Sequence, residues 1–335
     1  MAPLQDTFGR THEYLRISLT ESCNFRCVYC LPNGPEARTM PRIYLSPLEI
    51  QRAVAALAKL GVQKVRLTGG EPGLRSDLPD IVHRVANIPN IQKVAVTTNG
   101  TAIAESHGVT STQKVRLLQQ AGLSQINLSL DSLNQESFER ITGRSSHAQI
   151  IAAIDAVLAE SSLDLKINCV LLKDLNSDEF ANWLEFVKTR RVTVRFIELM
   201  PTSGSQNFYK GRFLSNMEWQ SEIERTGWLE IPRSSTAGPA HEYSHPEYLG
   251  HIGFISPISK KFCGSCNRLR LTSAGLLHLC VFEGEGHNLR HLLQSPTQEP
   301  ALLAALTQML THKEREHSLL QPASFFKQSF SNLGG

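Results

Sequence analysis

No run of apolar residues in the 335-residue chain approaches the ~20 that a membrane-spanning helix needs. The chain is therefore expected to be soluble. Charge of one sign is equally scarce, since 34 Lys and Arg stand against 31 Asp and Glu for a net +3. Nothing in that balance argues for wrapping nucleic acid, so basic residues matter only where they converge on one spot. The opening Met1-Ala2-Pro3-Leu4-Gln5-Asp6 shows no signal peptide, which predicts a cytoplasmic protein with reduced thiols. Cysteine is sparse and odd in number, seven in all, so a disulfide framework is not expected.

What is present is the arrangement of those cysteines. Cys23, Cys27 and Cys30 stand in a C-x3-C-x2-C spacing, and Cys263, Cys266 and Cys280 in C-x2-C-x13-C. Closed structural zinc sites take four ligands, so two sets of three suggest iron-sulfur clusters that each keep one iron open to something other than protein. Zinc completed by a histidine is the alternative, although no His lies within the first triplet or between Cys263 and Cys266. The seventh, Cys169, reads as a core thiol.

Short β-rich runs recur along the first two hundred residues, each followed by a helical pattern, which is the signature of βα units and a parallel sheet. The expected strands are 15–20, 64–68, 93–98, 125–130, 165–171 and 192–197. Ser46-Pro47-Leu48-Glu49 opens the first helix with a cap, a proline and a capping-box carboxylate, and Gly61 closes it. Helices are also expected over 111–122, 146–160 and 177–190. Six units fall short of the eight that close a barrel, so the predicted fold is α/β, an open (β/α)6 partial TIM barrel. After Pro201 the chain turns rich in Ser, Gly and Asn, which divides it into a barrel region, 1–200, and a smaller region, 201–335, covering the open side.

Alternation within the strands carries more than their number. Arg16, Ser18 and Thr20 share one face; so do Lys64, Arg66 and Thr68, then Thr97 and Asn99, then Asn127, Ser129 and Asp131, then Lys166 and Asn168. Helices on the outside of such a sheet cover the apolar face, leaving this polar face to line a concave space. Arg16, Arg66 and Lys166 then need an anionic ligand, the alternative being separate salt bridges to Asp or Glu. Active sites of these folds lie at the carboxyl ends of the strands, where the first cysteine loop and Thr68-Gly69-Gly70-Glu71-Pro72 both fall. Paired glycines there let a ligand reach the backbone. His287 and His291 read as a solvated face, and Lys313-Glu314-Arg315-Glu316 as helix surface.

These residues resemble the radical S-adenosylmethionine family, in the cysteine loop with Tyr29 before its last cysteine and in Gly69-Gly70-Glu71-Pro72. Within it they are similar to the branch that cyclises GTP at the start of molybdenum cofactor biosynthesis. That similarity rests on Phe8-Gly9-Arg10, Tyr14-Leu15-Arg16-Ile17-Ser18, Thr97-Thr98-Asn99-Gly100, Ser129-Leu130-Asp131, Arg195 to Met200, Cys263-Gly264-Ser265-Cys266-Asn267-Arg268-Leu269-Arg270-Leu271 and the terminal Gly-Gly. The resemblance implies two 4Fe-4S clusters, one on each triplet, with S-adenosylmethionine held near Tyr29, Gly70, Ser129 and Met200. It further implies GTP contacts from Arg16, Arg66, Thr97, Lys166, Arg268, Leu269 and Arg270, and a cavity reached by Gly334 and Gly335. Arg16, Lys166, Arg268, Arg270 and the two terminal glycines are the implied catalytic set. An electron donor and a downstream enzyme forming the cyclic pyranopterin are the implied partners, with homodimer formation left open. Gly73 departs from the family pattern, which has a bulky apolar residue there, and the segment 100–121 runs several residues long. Competing expectations are a radical enzyme acting on a peptide and a non-catalytic electron-transfer protein with two clusters.

Overall fold

The computed structural model describes residues 4–31, 44–160, 162–201, 206–260, 262–282 and 284–316. Six strands come first, β1 (Tyr14–Ser18), β2 (Lys64–Thr68), β3 (Lys93–Thr98), β4 (Gln125–Ser129), β5 (Asp164–Leu171) and β6 (Thr193–Glu198). Neighbours in this series pair in parallel and in register, β1 on β2 through to β5 on β6. The predicted strands recur within a residue or two. β1 ends at Ser18 rather than Thr20, because Leu19 and Thr20 already turn into the cysteine loop.

The crossover helices are α1 (Pro47–Lys59), α2 (Leu78–Ala86), α3 (Ser111–Gln120), α4 (Gln135–Thr142), α5 (His147–Leu158) and α6 (Phe180–Lys188). The capping box of α1 forms as its sequence requires, with Ser46 N donating to Glu49 Oε2 at 2.8 Å and Glu49 N to Ser46 Oγ at 3.3 Å. α2 and α4 were not expected. Leu78, Ile81, Val82 and Val85 give α2 a clear helical stripe, and Asn134 caps α4 through Ser137 N. Under the helices, Leu15, Ile17, Val65, Leu67, Val96, Ile126, Leu128, Ile167, Cys169, Val194 and Phe196 form one continuous core. Cys169 is a core thiol, its Sγ donating to the Asp131 carbonyl at 3.3 Å.

After β6 come α7 (Gln206–Arg212), α8 (Met217–Arg225), β7 (Leu229–Glu230), β8 (His241–Ser244), β9 (His251–Ile255), β10 (Arg268–Leu271), β11 (Leu276–His278), β12 (His287–Asn288) and α9 (Glu299–Leu310). The order across the sheet is β12-β11-β10-β1-β2-β3-β4-β5-β6-β9-β8-β7. The two outermost strands, β12 and β7, do not pair, so the barrel stays open. The region after Pro201 thus joins the arc at both edges, β10 running parallel to β1 and β9 parallel to β6. No described helix is long and apolar enough to cross a membrane. Residues 317–335, with Phe325, Phe326, Phe330, Leu333, Gly334 and Gly335, lie outside the described residues.

Candidate active site

The loop after β1 is fastened from three sides. Gly70 N donates to the Thr20 carbonyl and Glu71 N to that of Ser22, both at 2.7 Å. A Cβ on Gly70 would stand 2.1 Å from the Ser22 oxygen, so glycine is required here by the approach of the cysteine loop itself. From α4, the Ile141 and Thr142 carbonyls take the Val28 and Arg26 amides at 3.0 Å each. On the third side Asn99 Nδ2 donates to Asn24 Oδ1 at 2.8 Å, within reach of Cys23 Sγ at 3.9 Å. Cys23, Cys27 and Cys30 emerge half-buried on the wall of one cavity of about 250 Å³.

Burial pushes the Cys23 thiol up and the Cys27 thiol well up, with Glu71 and Asp131 adding to the effect. Iron supplies the positive charge that such thiolates need. Among the described residues, no three His, Cys, Asp or Glu side chains converge on a single metal ion. Three thiols lining one cavity without closing on an ion fit a larger group with an open corner, and do not fit a closed zinc site.

Tyr29, Gly70, Ser129 and Met200 line the same cavity. Tyr29 Oη donates to Asp131 Oδ2 at 2.8 Å, and Asp131 Oδ1 accepts the Val170 amide at 2.8 Å; burial pushes Asp131 up to about 6. Glu71 is buried and accepts from Thr98 Oγ1 at 2.7 Å, Asn99 N at 2.7 Å and Gly73 N at 2.9 Å. It ties the Gly-Gly turn to the end of β3, and burial raises it to about 7. Gly73 has its own reason: a Cβ there would stand 2.1 Å from that of Ala102, in the segment after β3.

On the opposite wall, pairing brings cations together. Arg270 on β10, Arg16 on β1 and Arg66 on β2 are register partners in one row, all less than a tenth exposed. One row below stand Arg268, Tyr14 and Lys64. Like charges opposite each other on neighbouring strands repel, and burial adds to the penalty, so this wall is built for an anion. Arg66 Nε is buried without a hydrogen-bond partner. Thr97 lines the cavity, and its Oγ1 is equally unpartnered.

Three lining residues were given no ligand contact from the sequence, although Asn168 was read on the polar face. Tyr14 sits under Lys64 and Arg66, whose charges lie 4.9 and 5.6 Å from its ring centre, and its buried hydroxyl has no partner. Against burial, the charges of Arg66, Arg16, Lys64 and Arg195 bring its phenol down to about 7. Arg195 reaches across from β6 to Asn127 Oδ1 at 2.6 Å, and Asn168 lines the cavity with its Oδ1 unpartnered. Tyr14 precedes Arg16 by two residues on the same face. That was the available signal, hidden by starting the strand at Leu15.

Two expected contacts are placed elsewhere. Lys166 is not an open cation: its Nζ donates to both carboxylate oxygens of Glu242 on β8, at 2.6 and 2.7 Å, and it does not line the cavity. Strand β8, which brings the counter-charge, was not anticipated. Leu269 lies in the outer core opposite Leu15, leaving only its backbone near the arginine row.

Cys263, Cys266 and Cys280 line a smaller cavity that shares Phe262, Arg268, Arg270, Val281 and Phe282 with the large one. The two triplets therefore flank the arginine row. Burial raises Cys280, whereas Arg268 and Lys313 overcome burial to bring Cys266 down to about 7. Arg10 Nη1 donates to the Cys263 carbonyl at 2.9 Å, and buried Asp6 holds its Nε at 2.6 Å. Lys313, expected on a helix surface, is only 4% exposed and donates to the Leu279 carbonyl. His287 stacks on His312 rather than pairing with His291.

Residues 17–187 match the Radical SAM superfamily and residues 192–319 match Molybdenum Cofactor Synthesis C. The chain is 42% identical, over its whole length and 97% of the relative, to a GTP 3',8-cyclase of Shewanella denitrificans. Relatives of the same name from Stenotrophomonas maltophilia and Synechococcus elongatus are each 43% identical over the whole of both chains. Among solved structures, Streptococcus suis SuiB bound to S-adenosylmethionine aligns with a TM-score of 0.59 at 15% identity, covering 95% of this chain and 69% of that one.

Proposed function

The chain belongs to the GTP 3',8-cyclase family, radical S-adenosylmethionine enzymes that cyclise GTP in molybdenum cofactor synthesis, and from that premise we propose that its cavity is the reaction chamber. Cys23, Cys27 and Cys30 hold a 4Fe-4S cluster at one end, and Cys263, Cys266 and Cys280 hold a second at the other. Bound there, the clusters and S-adenosylmethionine supply the radical chemistry that joins the ribose C3' of GTP to C8 of its guanine.

The protein's own part is to hold and shield. Tyr29, Gly70, Ser129 and Met200 border the place for S-adenosylmethionine beside the first triplet. Arg16, Arg66, Arg268 and Arg270, with Thr97, Tyr14 and Arg195, meet the triphosphate and fix the ribose relative to the first cluster. Lys166 reaches substrate only by leaving Glu242. Gly334 and Gly335, which lie outside the described residues, belong to the proposed catalytic set, and an external reductant supplies electrons. The product passes to an enzyme that builds the cyclic pyranopterin. Residues 1–200 and 201–335 divide the work as the first- and second-cluster regions.

The observation that carries this reading is the in-register row Arg270, Arg16 and Arg66 between the two triplets. Anaerobic assay of the reduced protein tests it: 5'-deoxyadenosine formation should depend on GTP, and GTP should bind far more tightly than guanosine. Equal affinity for the two would remove the triphosphate from that wall.

A further inference from the structure

The Lys313 side chain lies just beyond the end of α9, in a run of charge that reads as surface, yet it is almost wholly buried. Its ammonium donates to the carbonyl of Leu279, the residue before Cys280. No described carboxylate pairs with it. The charges it feels are the thiols of Cys266 and Cys280 on one side and the like charges of Arg10 and Arg268 on the other. Arg10 differs in this respect, since Asp6 neutralises it. A buried ammonium with no described carboxylate partner and with the charge of Arg268 acting on it is unfavourable unless an anion meets it. The thiols of Cys266 and Cys280 are the groups of opposite sign that act on it, and they carry that charge when they ligate iron.

We propose that Lys313 is a charge-compensating positioning residue for the second cluster, and that it raises that cluster's reduction potential. A fixed positive charge in a dry site stabilises the more negative, reduced form. At the first triplet the carboxylates Glu71 and Asp131 act on Cys23 and Cys27 instead. The proposal rests on the reading that Cys263, Cys266 and Cys280 hold a cluster.

The test uses the full chain, reconstituted anaerobically, with iron content and a redox titration followed by electron paramagnetic resonance. Lys313→Gln keeps a donor for the Leu279 carbonyl and removes the charge; Lys313→Arg keeps the charge. In Lys313→Gln the potential of one cluster should become more negative, by about tenfold in the one-electron equilibrium constant, or ~59 mV, while the other stays put. Lys313→Arg should stay near wild type. Should Lys313→Gln hold only about four irons while Lys313→Arg holds about eight, the charge is needed even to retain the cluster, which supports the proposal. A wild-type potential in Lys313→Gln, or an equal shift or iron loss in Lys313→Arg, overturns it in favour of simple packing. If wild type itself takes up only about four irons, the cysteine assignment fails together with the role of Lys313, whereas an unmoved potential on about eight irons removes Lys313 alone.

Discussion

The two cysteine triplets are the same chemistry in opposite surroundings. The first is folded into eight residues and tied by backbone hydrogen bonds to the Gly-Gly turn and to α4, with the buried carboxylates Glu71 and Asp131 close by. The second is spread over eighteen residues on either side of β10 and β11, and its neighbours are Arg268, Arg270 and Lys313. Groups of opposite sign thus stand at the two ends of the chamber, the carboxylates partly protonated near neutral pH, with Glu71 at about 7 and Asp131 at about 6. A substrate with an anionic tail feels that gradient before any specific contact forms.

Removing either triplet should have the largest effect. Replacing Cys263, Cys266 and Cys280 with Ala should reduce iron from about eight to about four and end cyclisation; replacing the first triplet should do the same to iron and also end 5'-deoxyadenosine formation. Loss of all iron in either variant would mean that the two ends are not independent.

Next come the cations that create the gradient. Arg66→Ala should weaken GTP binding by roughly ten- to a hundredfold, at ~1.5 to 3 kcal/mol per charge-assisted contact, with both clusters retained. Guanosine binding, followed by the same calorimetric titration, should change little. The carboxylate end is sharpened by Gly73→Leu, which forces a side chain onto Ala102 and should destabilise the fold by about 1 to 3 kcal/mol in denaturant unfolding. Ala102→Gly should recover part of that loss.

The smallest effect belongs to Tyr14. With a phenol near 7 rather than 10, its phenolate forms as pH rises through neutrality and serves the arginines as an internal counter-ion. GTP must then compete with it, so Tyr14→Phe should bind GTP relatively better than wild type at pH 8 and a few-fold worse at pH 6, where the hydroxyl can donate to phosphate. Parallel pH profiles for the two proteins would sink that role.

Strand positions and the polar inner face were legible because alternation is local, set by residues two apart. Cysteine spacing was legible for the same reason. What escaped depended on distant pairing. Glu242 meets Lys166 across 76 positions, and nothing in the local pattern of either announces the other. Lys313 sits among Glu314, Arg315 and Glu316, a composition that signals solvent, and its burial comes with a contact to the Leu279 carbonyl 34 positions away. Leu269 alternates with Arg268 and Arg270, so its outward direction could have been read from the strand. Gly70 lines the cavity, yet the atom that approaches it is the oxygen of Ser22.

The manner in which β9 and β10 join the arc bears on how the protein is made. Strands β1 and β6 are complete long before their outer neighbours exist, β10 lying about 250 residues after β1 in sequence. Until then the nascent arc carries two raw edges whose amide and carbonyl groups can pair with any extended chain. One of those edges holds Arg16, so the strand most exposed to mispairing during synthesis is also one that carries cavity-facing charge. Charged side chains discourage edge-to-edge addition, and the arginines on β1 and β2 offer such protection from the moment they leave the ribosome.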